Sequence, residues 1–263
     1  MTELENKRLI ARNTMALYVR MIVRLLVTLY TSRIVLSTLG FDDFAIYGIV
    51  GGVVTVFTFL QSALNASTQR FMSIELGKGN TLQLKKVFDT GMTLYLFVAL
   101  IIVILSETAG LWFLTHKLII PPERMQAAHW VFQFSVLSVC INIIQTPYNA
   151  SILSHEKMSF YAYISIADVV LKLGIVGLLV VSSLDKLILY AGLLTLVALI
   201  ILLITRYYCL ARFPVCHFKW QWDKPLFKQM MSFSGWTLCD SAANLAVTQG
   251  RVFLLNLFTP LVT

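Results

Sequence analysis

Two arginines four residues apart, Arg20 and Arg24, lie inside a long apolar stretch. That spacing puts them on one helix face, and Thr28 and Thr31 continue the stripe. If hydrocarbon begins near Met15, a helical rise of 1.5 Å per residue places Arg24 about 13 Å deep, too far for easy snorkelling. A charge at the centre of a bilayer costs roughly 2.5–3.5 kcal/mol on insertion scales. Two like charges on one face also repel, so the pair calls for water, counter-charges or an anionic ligand. Either this face lines an aqueous cavity that receives an anionic group, or the arginines form a structural pair neutralised by Asp168 or Asp240 on neighbouring helices.

Other polar residues in apolar runs pose the same choice. Of the 21 Lys and Arg, Arg33, Arg70, Lys172 and Arg251 also fall inside such runs. Asp168 and Lys172 are four apart. They read as an intrahelical ion pair that lowers the insertion cost, or Asp168 reads as a titrating carboxylate that couples to protons or sodium, with Lys172 and Asp240 as the other candidates for ion coupling. Arg33, Arg70 and Arg251 lie near run ends and suit snorkelling. In the second run Gln61, Asn65, Thr68 and Gln69 share one side, which must face protein or water. It is a helix-packing surface or a cavity wall. Pro147 lies inside the fourth run, where it removes one hydrogen bond, frees a carbonyl near Ile143 and should kink the helix. Gln145 and Asn149 flank it and are placed to satisfy that group.

Nothing forms a catalytic set. His116, His129, His155 and His217 lie near run ends or in loops, and no metalloprotease motif, nucleophile elbow, phosphate loop or Gly-rich fingerprint appears. Cys209, Cys216 and His217 match no zinc spacing. The expectation is a protein that is not an enzyme and carries neither metal nor cofactor.

The elements that position these residues follow from composition. The chain has 263 residues, 58% hydrophobic and 13% charged, with a mean hydropathy of +0.78. A soluble domain carries about 25% charged residues, so this chain cannot cover a water-facing surface. Bilayers admit helices or closed barrels. Runs near 20 residues, long enough to cross about 30 Å of hydrocarbon, select helices. Seven spans are predicted, at about 12–36, 44–68, 88–114, 127–153, 159–182, 187–206 and 231–257. With the N-terminus in the cytoplasm, the inner segments hold Lys7, Arg8, Arg12, Lys78, Lys85, Lys86, Lys157, Arg206, Arg212, Lys219, Lys224 and Lys228. The outer segments hold only Lys117, Arg124 and Lys186. This asymmetry is the positive-inside pattern. It accounts for the net charge of +8 without nucleic-acid binding. Asp42 and Asp43 read as a cap on the second helix. Residues 207–230 read as a basic, aromatic cytoplasmic connector, part of which, 213–228, suits either a surface-lying amphipathic stretch or a plain loop. A faint echo of Ser32–Leu36 in Gly250–Leu254 suggests that the seventh span restarts a six-helix unit.

The stretch from Asn13 to Asn80, NTMALYVRMIVRLLVTLYTSRIVLSTLGFDDFAIYGIVGGVVTVFTFLQSALNASTQRFMSIELGKGN, and the segment TPYNASILSHEKMSFYAYISIADVVLKL resemble bacterial polysaccharide biosynthesis and export proteins. These are O-antigen-flippase-like members of the multidrug/oligosaccharidyl-lipid/polysaccharide exporter superfamily. The resemblance implies two six-helix lobes around a central cavity, and flipping of undecaprenyl-diphosphate-linked saccharides across the inner membrane by alternating access. It implies arginines of the first helices meeting the diphosphate, with Arg20, Arg24 and Arg70 as the matching positions. Members have about 12–14 spans. The expectation is therefore a six-helix N-terminal lobe over 1–206, the connector 207–230, and the first helix of an incomplete second lobe over 231–263. Multidrug exporters of the same superfamily use acidic cavities for cationic cargo, whereas the first span here is cationic. A non-transporting remnant or assembly partner is the remaining alternative.

Overall fold

A computed structural model describes the backbone of residues 3–118, 120–182 and 185–258; the side chains at 3–13, 16, 53–60, 241–242 and 244–258 fall outside the description. Those limits exclude the Arg251 side chain and the sequence echo at 250–254. The protein is an all-helical membrane protein, with no strand among the described residues. The helices are α1 (Glu3–Leu39), α2 (Phe41–Gly77), α3 (Thr81–Leu105), α4 (Leu111–His116), α5 (Met125–Ser154), α6 (Met158–Val181), α7 (Lys186–Arg212) and α8 (Lys224–Phe258). A π-helical turn, Ser106–Gly110, joins α3 to α4 without a break. Among the described residues, five stretches have the length and hydropathy to cross a membrane: 17–39, 81–116, 122–154, 158–181 and 186–212. They carry the first, third, fourth, fifth and sixth predicted spans. The second and seventh fall on α2 and α8, each with side chains outside the description.

Local chemistry sets the boundaries. Gly40 alone separates α1 from α2, at φ 83°, a left-handed backbone that favours glycine. The predicted Asp cap is therefore corrected. Gly40 holds the cap position, and Asp42 and Asp43 sit in the first turn, where carboxylates complement the helix dipole. Asn80 caps α3 by accepting from the Gln83 N–H at 3.0 Å. Asp185 caps α7 by accepting from the Leu187 and Ile188 N–H groups.

The helix junctions fall into two groups, which we call the basic end and the far end. The basic end carries the α2–α3 turn, the α5–α6 turn and the segment after α7. The far end is held by one arginine. Arg124, between α4 and α5, donates to Asp43 of α2 and, at 2.7 Å, to Asp185 at the start of α7. Three helix junctions are thereby tied together.

α2 and α5 form the centre of the bundle. α3 packs on both, α7 on α5, α6 on α7, and α8 on α2 and α3. α1 meets α2 at the Gly40 junction but lies mainly along α6. A row of helices α1–α6–α7–α5–α2 results, and its two end members enclose a cleft. Large side chains fill the centre, with Tyr95, Phe132, Leu114 and Ile143 in one cluster and Phe88, Met72 and Ile152 in another.

The connector is shorter than predicted. α7 runs on to Arg212 and α8 starts at Lys224, leaving 213–223. Part of it packs against α3. The Lys219 N–H donates to Asp89 at 3.0 Å. Trp220 and Trp222 then pack on Phe97 of α3, eight residues or about 12 Å further along that helix. Asp89 is 0% exposed, and a buried carboxylate needs donors. The connector backbone supplies one to Oδ1, while the Lys85 ammonium, 3.2 Å from Oδ2, balances the charge without a hydrogen bond. Lys85 also donates to the His217 carbonyl at 2.6 Å.

Candidate functional site

The cleft has a volume of about 690 Å³ and is lined from five helices. α1 contributes Arg24, Val27, Thr28 and Thr31, the continuation of the arginine stripe. α2 contributes Tyr47, Gly51 and Gln61, while α6 contributes Tyr161, Ser165, Asp168 and Lys172. The opposite wall belongs to α5 and α7. Because α1 rests on α6 rather than on α2, its polar stripe and the polar side of α5 look into one space.

Arg24 is exposed to this space. It also borders a second hollow of about 630 Å³ along α1, together with Arg20. Neither arginine has an ion pair among the described residues. Arg20 instead leans on α6. Its guanidinium lies 4.7 Å from the Tyr161 ring centroid, a cation–π contact, and one Nη donates to Ser165 Oγ at 3.4 Å. Its Nε is buried without a hydrogen-bond partner. A guanidinium carries five donors in a planar fork, so most of its donors are unspent.

Asp168 and Lys172 form the intrahelical ion pair, at 2.8 Å. The reading in which Asp168 neutralises the arginines is therefore not what the structure shows. Asp168 is committed to Lys172, and the Arg24 charge in the cleft is left uncompensated. Asp168 is the only carboxylate among the described lining residues.

The remaining predicted residues separate. Gln61 lines the cleft and donates to the Asn142 carbonyl at 2.9 Å and to Thr146 Oγ1 at 3.1 Å. It thus joins α2 to α5 at the turn before Pro147. α5 continues through Pro147 as one helix, Met125–Ser154. The flanking side chains do not serve the proline-freed carbonyl as expected. Gln145 donates to Thr205 of α7 at 3.4 Å, and Asn149 Oδ1 is buried without a partner. Asn65 is not among the lining residues, and its Oδ1 is likewise buried and unpartnered. Arg70 is not in the cleft either. It lies over the Phe233 ring at 4.5 Å, where α2 meets α8. Its neighbours Ser67 and Thr68 bond to the Met230 carbonyl and the Tyr95 hydroxyl, so that part of the α2 polar side is a packing surface. Asp240 is exposed on α8, outside the cleft lining. Cys209 and Cys216 are free and buried, and their thiols reach Tyr148 O and Ser151 Oγ of α5.

Sequence reasoning named Gln145 and Asn149 only as neighbours of Pro147 and missed the polar side of α5 as a whole. Ser135, Ser138, Asn142, Gln145 and Asn149 all line the cleft. Their alternating spacing of three and four is helical and was readable in the sequence, but serines are common in membrane helices and attract no notice singly. It also missed the clamp at Arg124, whose partners lie 81 and 61 residues away.

Residues 17–176, more than half of the chain, match the model of the MatE family. The chain belongs to the MatE family. The matched stretch carries every charged residue of the cleft. Two solved structures share the fold. One is the outward-facing conformation of a multidrug resistance MATE family transporter of the MOP superfamily, at TM-score 0.74 and 16% identity, covering 91% of this chain and 54% of that one. The other is a MOP superfamily transporter from Pyrococcus furiosus, described as having a binding pocket of reverse polarity that suggests a different function. It aligns at TM-score 0.76 and 16% identity over 94% of this chain and 55% of its own. This MatE chain therefore spans just over half the length of those transporters. No curated protein sequence matches it.

Proposed function

We propose that this MatE chain forms one lobe of a flippase that carries an anionic, lipid-linked saccharide across a bacterial inner membrane by alternating access. An undecaprenyl-diphosphate carrier suits the site. The observation that carries the reading is the uncompensated Arg24 in an intramembrane cleft, with Arg20 one turn away. A diphosphate offers the planar fork several acceptor oxygens, and Arg–phosphate contacts of this kind are charge-assisted and bidentate. Such a group would balance the Arg24 charge, which water in the cleft otherwise solvates. The charge asymmetry between the two ends supports an N-terminus in the cytoplasm. Asp168 is the group we assign to proton or sodium coupling, with Lys172 as its resting partner.

A multidrug exporter is the second reading, favoured by the family match and by the first structural neighbour. The cleft argues against it, because cationic cargo would meet Arg24 and find Asp168 already paired. The test is expression of this chain in a flippase-null strain. Restored polysaccharide display that Arg24→Ala abolishes would support the flippase. Drug resistance in the absence of polysaccharide would favour the exporter. Stable insertion with neither phenotype would show that one lobe does not transport alone. Cysteine labelling from each side, at Lys78 and Lys117 positions changed to Cys, tests the orientation.

A further inference from the structure

Resting on that reading, we infer that the polar side of α5, Ser135, Ser138, Asn142, Gln145 and Asn149, is the wall that contacts the saccharide, while Arg24 takes the diphosphate. These five residues extend for about 21 Å along the helix at 1.5 Å per residue. All of them border the cleft, and none is charged. A continuous polar face costs free energy in a bilayer unless it meets protein or a polar ligand.

Two amide donors of this wall are spent inside the protein. Asn142 Nδ2 donates to the Ser138 carbonyl at 2.8 Å, and Gln145 Nε2 donates to Thr205. Around it, the Thr195 and Ser165 hydroxyls donate to backbone carbonyls. The amide oxygens remain. Asn149 Oδ1 is buried with no donor facing it, and leaving such an acceptor unmet is costly. The Ser135 and Ser138 hydroxyls make no hydrogen bond among the described residues. The wall therefore offers hydroxyls that both donate and accept beside amide oxygens that only accept, and it suits an uncharged ligand rich in O–H and N–H groups. A phosphate supplies none. A sugar bears a donor on each hydroxyl, and its amides add N–H groups. An organic cation would also suit acceptors, but the net charge of the cleft opposes it. The two walls thus divide the cargo by charge: the anionic oxygens of the ligand go to α1, and its neutral hydroxyls and amides go to α5.

The test uses the whole chain in nanodiscs and three probes: undecaprenyl monophosphate, undecaprenyl-diphosphate-linked N-acetylglucosamine, and tetraphenylphosphonium. For Ser138→Ala/Asn149→Ala, Kd for the sugar-bearing probe should rise at least about tenfold, a loss of about 1.4 kcal/mol. Kd for undecaprenyl monophosphate should stay unchanged, which also shows that the variant folds. Ser138→Thr, which keeps the hydroxyl, should bind like the parent, and Arg24→Gln should weaken both lipid probes. Equal weakening of both lipid probes in the α5 variant, or no weakening of either, overturns the assignment and leaves the flippase reading standing. Failure of the parent to bind either lipid probe overturns both. Tetraphenylphosphonium binding that the α5 variant abolishes would overturn the saccharide wall in favour of a cation site.

Discussion

Arg24 and Arg124 are the same residue in opposite situations. Arg124 stands at the far end of the bundle between two carboxylates, Asp43 and Asp185, and is 38% exposed along its side chain. Arg24 faces a cleft whose one carboxylate is bonded to Lys172. The first arginine has its partners supplied by the fold and organises three helix junctions. The second has its charge left over. Proteins keep an unbalanced charge at membrane depth only where something outside the chain balances it. On the proposed reading, pairing separates a structural arginine from one reserved for a ligand.

The largest effect that would break this comparison is expected at Arg24. Both Arg24→Ala and Arg24→Lys should lower transport of the lipid-linked cargo about 10- to 100-fold, the loss of a charge-assisted contact of roughly 1.5–3 kcal/mol, with membrane abundance unchanged. Lysine fails here because it offers a point charge rather than a fork. Wild-type transport in either variant would remove the distinction. Arg124→Ala should do the reverse. It leaves buried Asp43 without its cation and should cost about 2 kcal/mol of stability, discounted for the solvent around Arg124. A thermal-shift assay should register the drop, and Asp43→Asn added to it should recover part. A full-strength, equally stable Arg124→Ala protein would make the clamp ornamental.

A sharper control lies in the core. A methyl group at Gly110 would stand 2.7 Å from Phe132 Cζ, and Phe132 is 1% exposed. Gly110→Ala should therefore cost about 1–3 kcal/mol by overpacking, again in stability and not in cargo binding. The smallest effect concerns Asp168 and Lys172. Their coupling as an exposed i,i+4 pair is about 0.5 kcal/mol, so Asp168→Asn/Lys172→Gln should insert as well as the parent. If the carboxylate couples transport to an ion, this double variant loses the dependence of transport on the pH or sodium gradient. Retention of that dependence would reduce the pair to an insertion aid.

Much of the fold was legible in the residues. The long apolar runs marked where the long helices lie, since crossing hydrocarbon imposes a minimum length. Boundaries failed where a helix could extend into water at little cost. The predicted 88–114 span became a continuous rod from Thr81 to His116, and α8 started at Lys224 instead of 231. Within the site, Arg20, Arg24 and Asp168–Lys172 were readable because a charge is conspicuous against an apolar background. The Ser and Asn residues of α5 were less so, being individually ordinary.

By itself the sequence determined that helices cross a bilayer, which end is basic, and that Arg20 and Arg24 share one stripe, because hydropathy, charge and helical period are local properties. Only the tertiary structure decided which charges were satisfied. It paired Arg124 with carboxylates from two other helices, turned Arg70 onto Phe233 and away from the cleft, and left Arg24 facing α5. Those outcomes depend on α1 lying along α6 rather than α2, and packing between distant helices is written in no single segment.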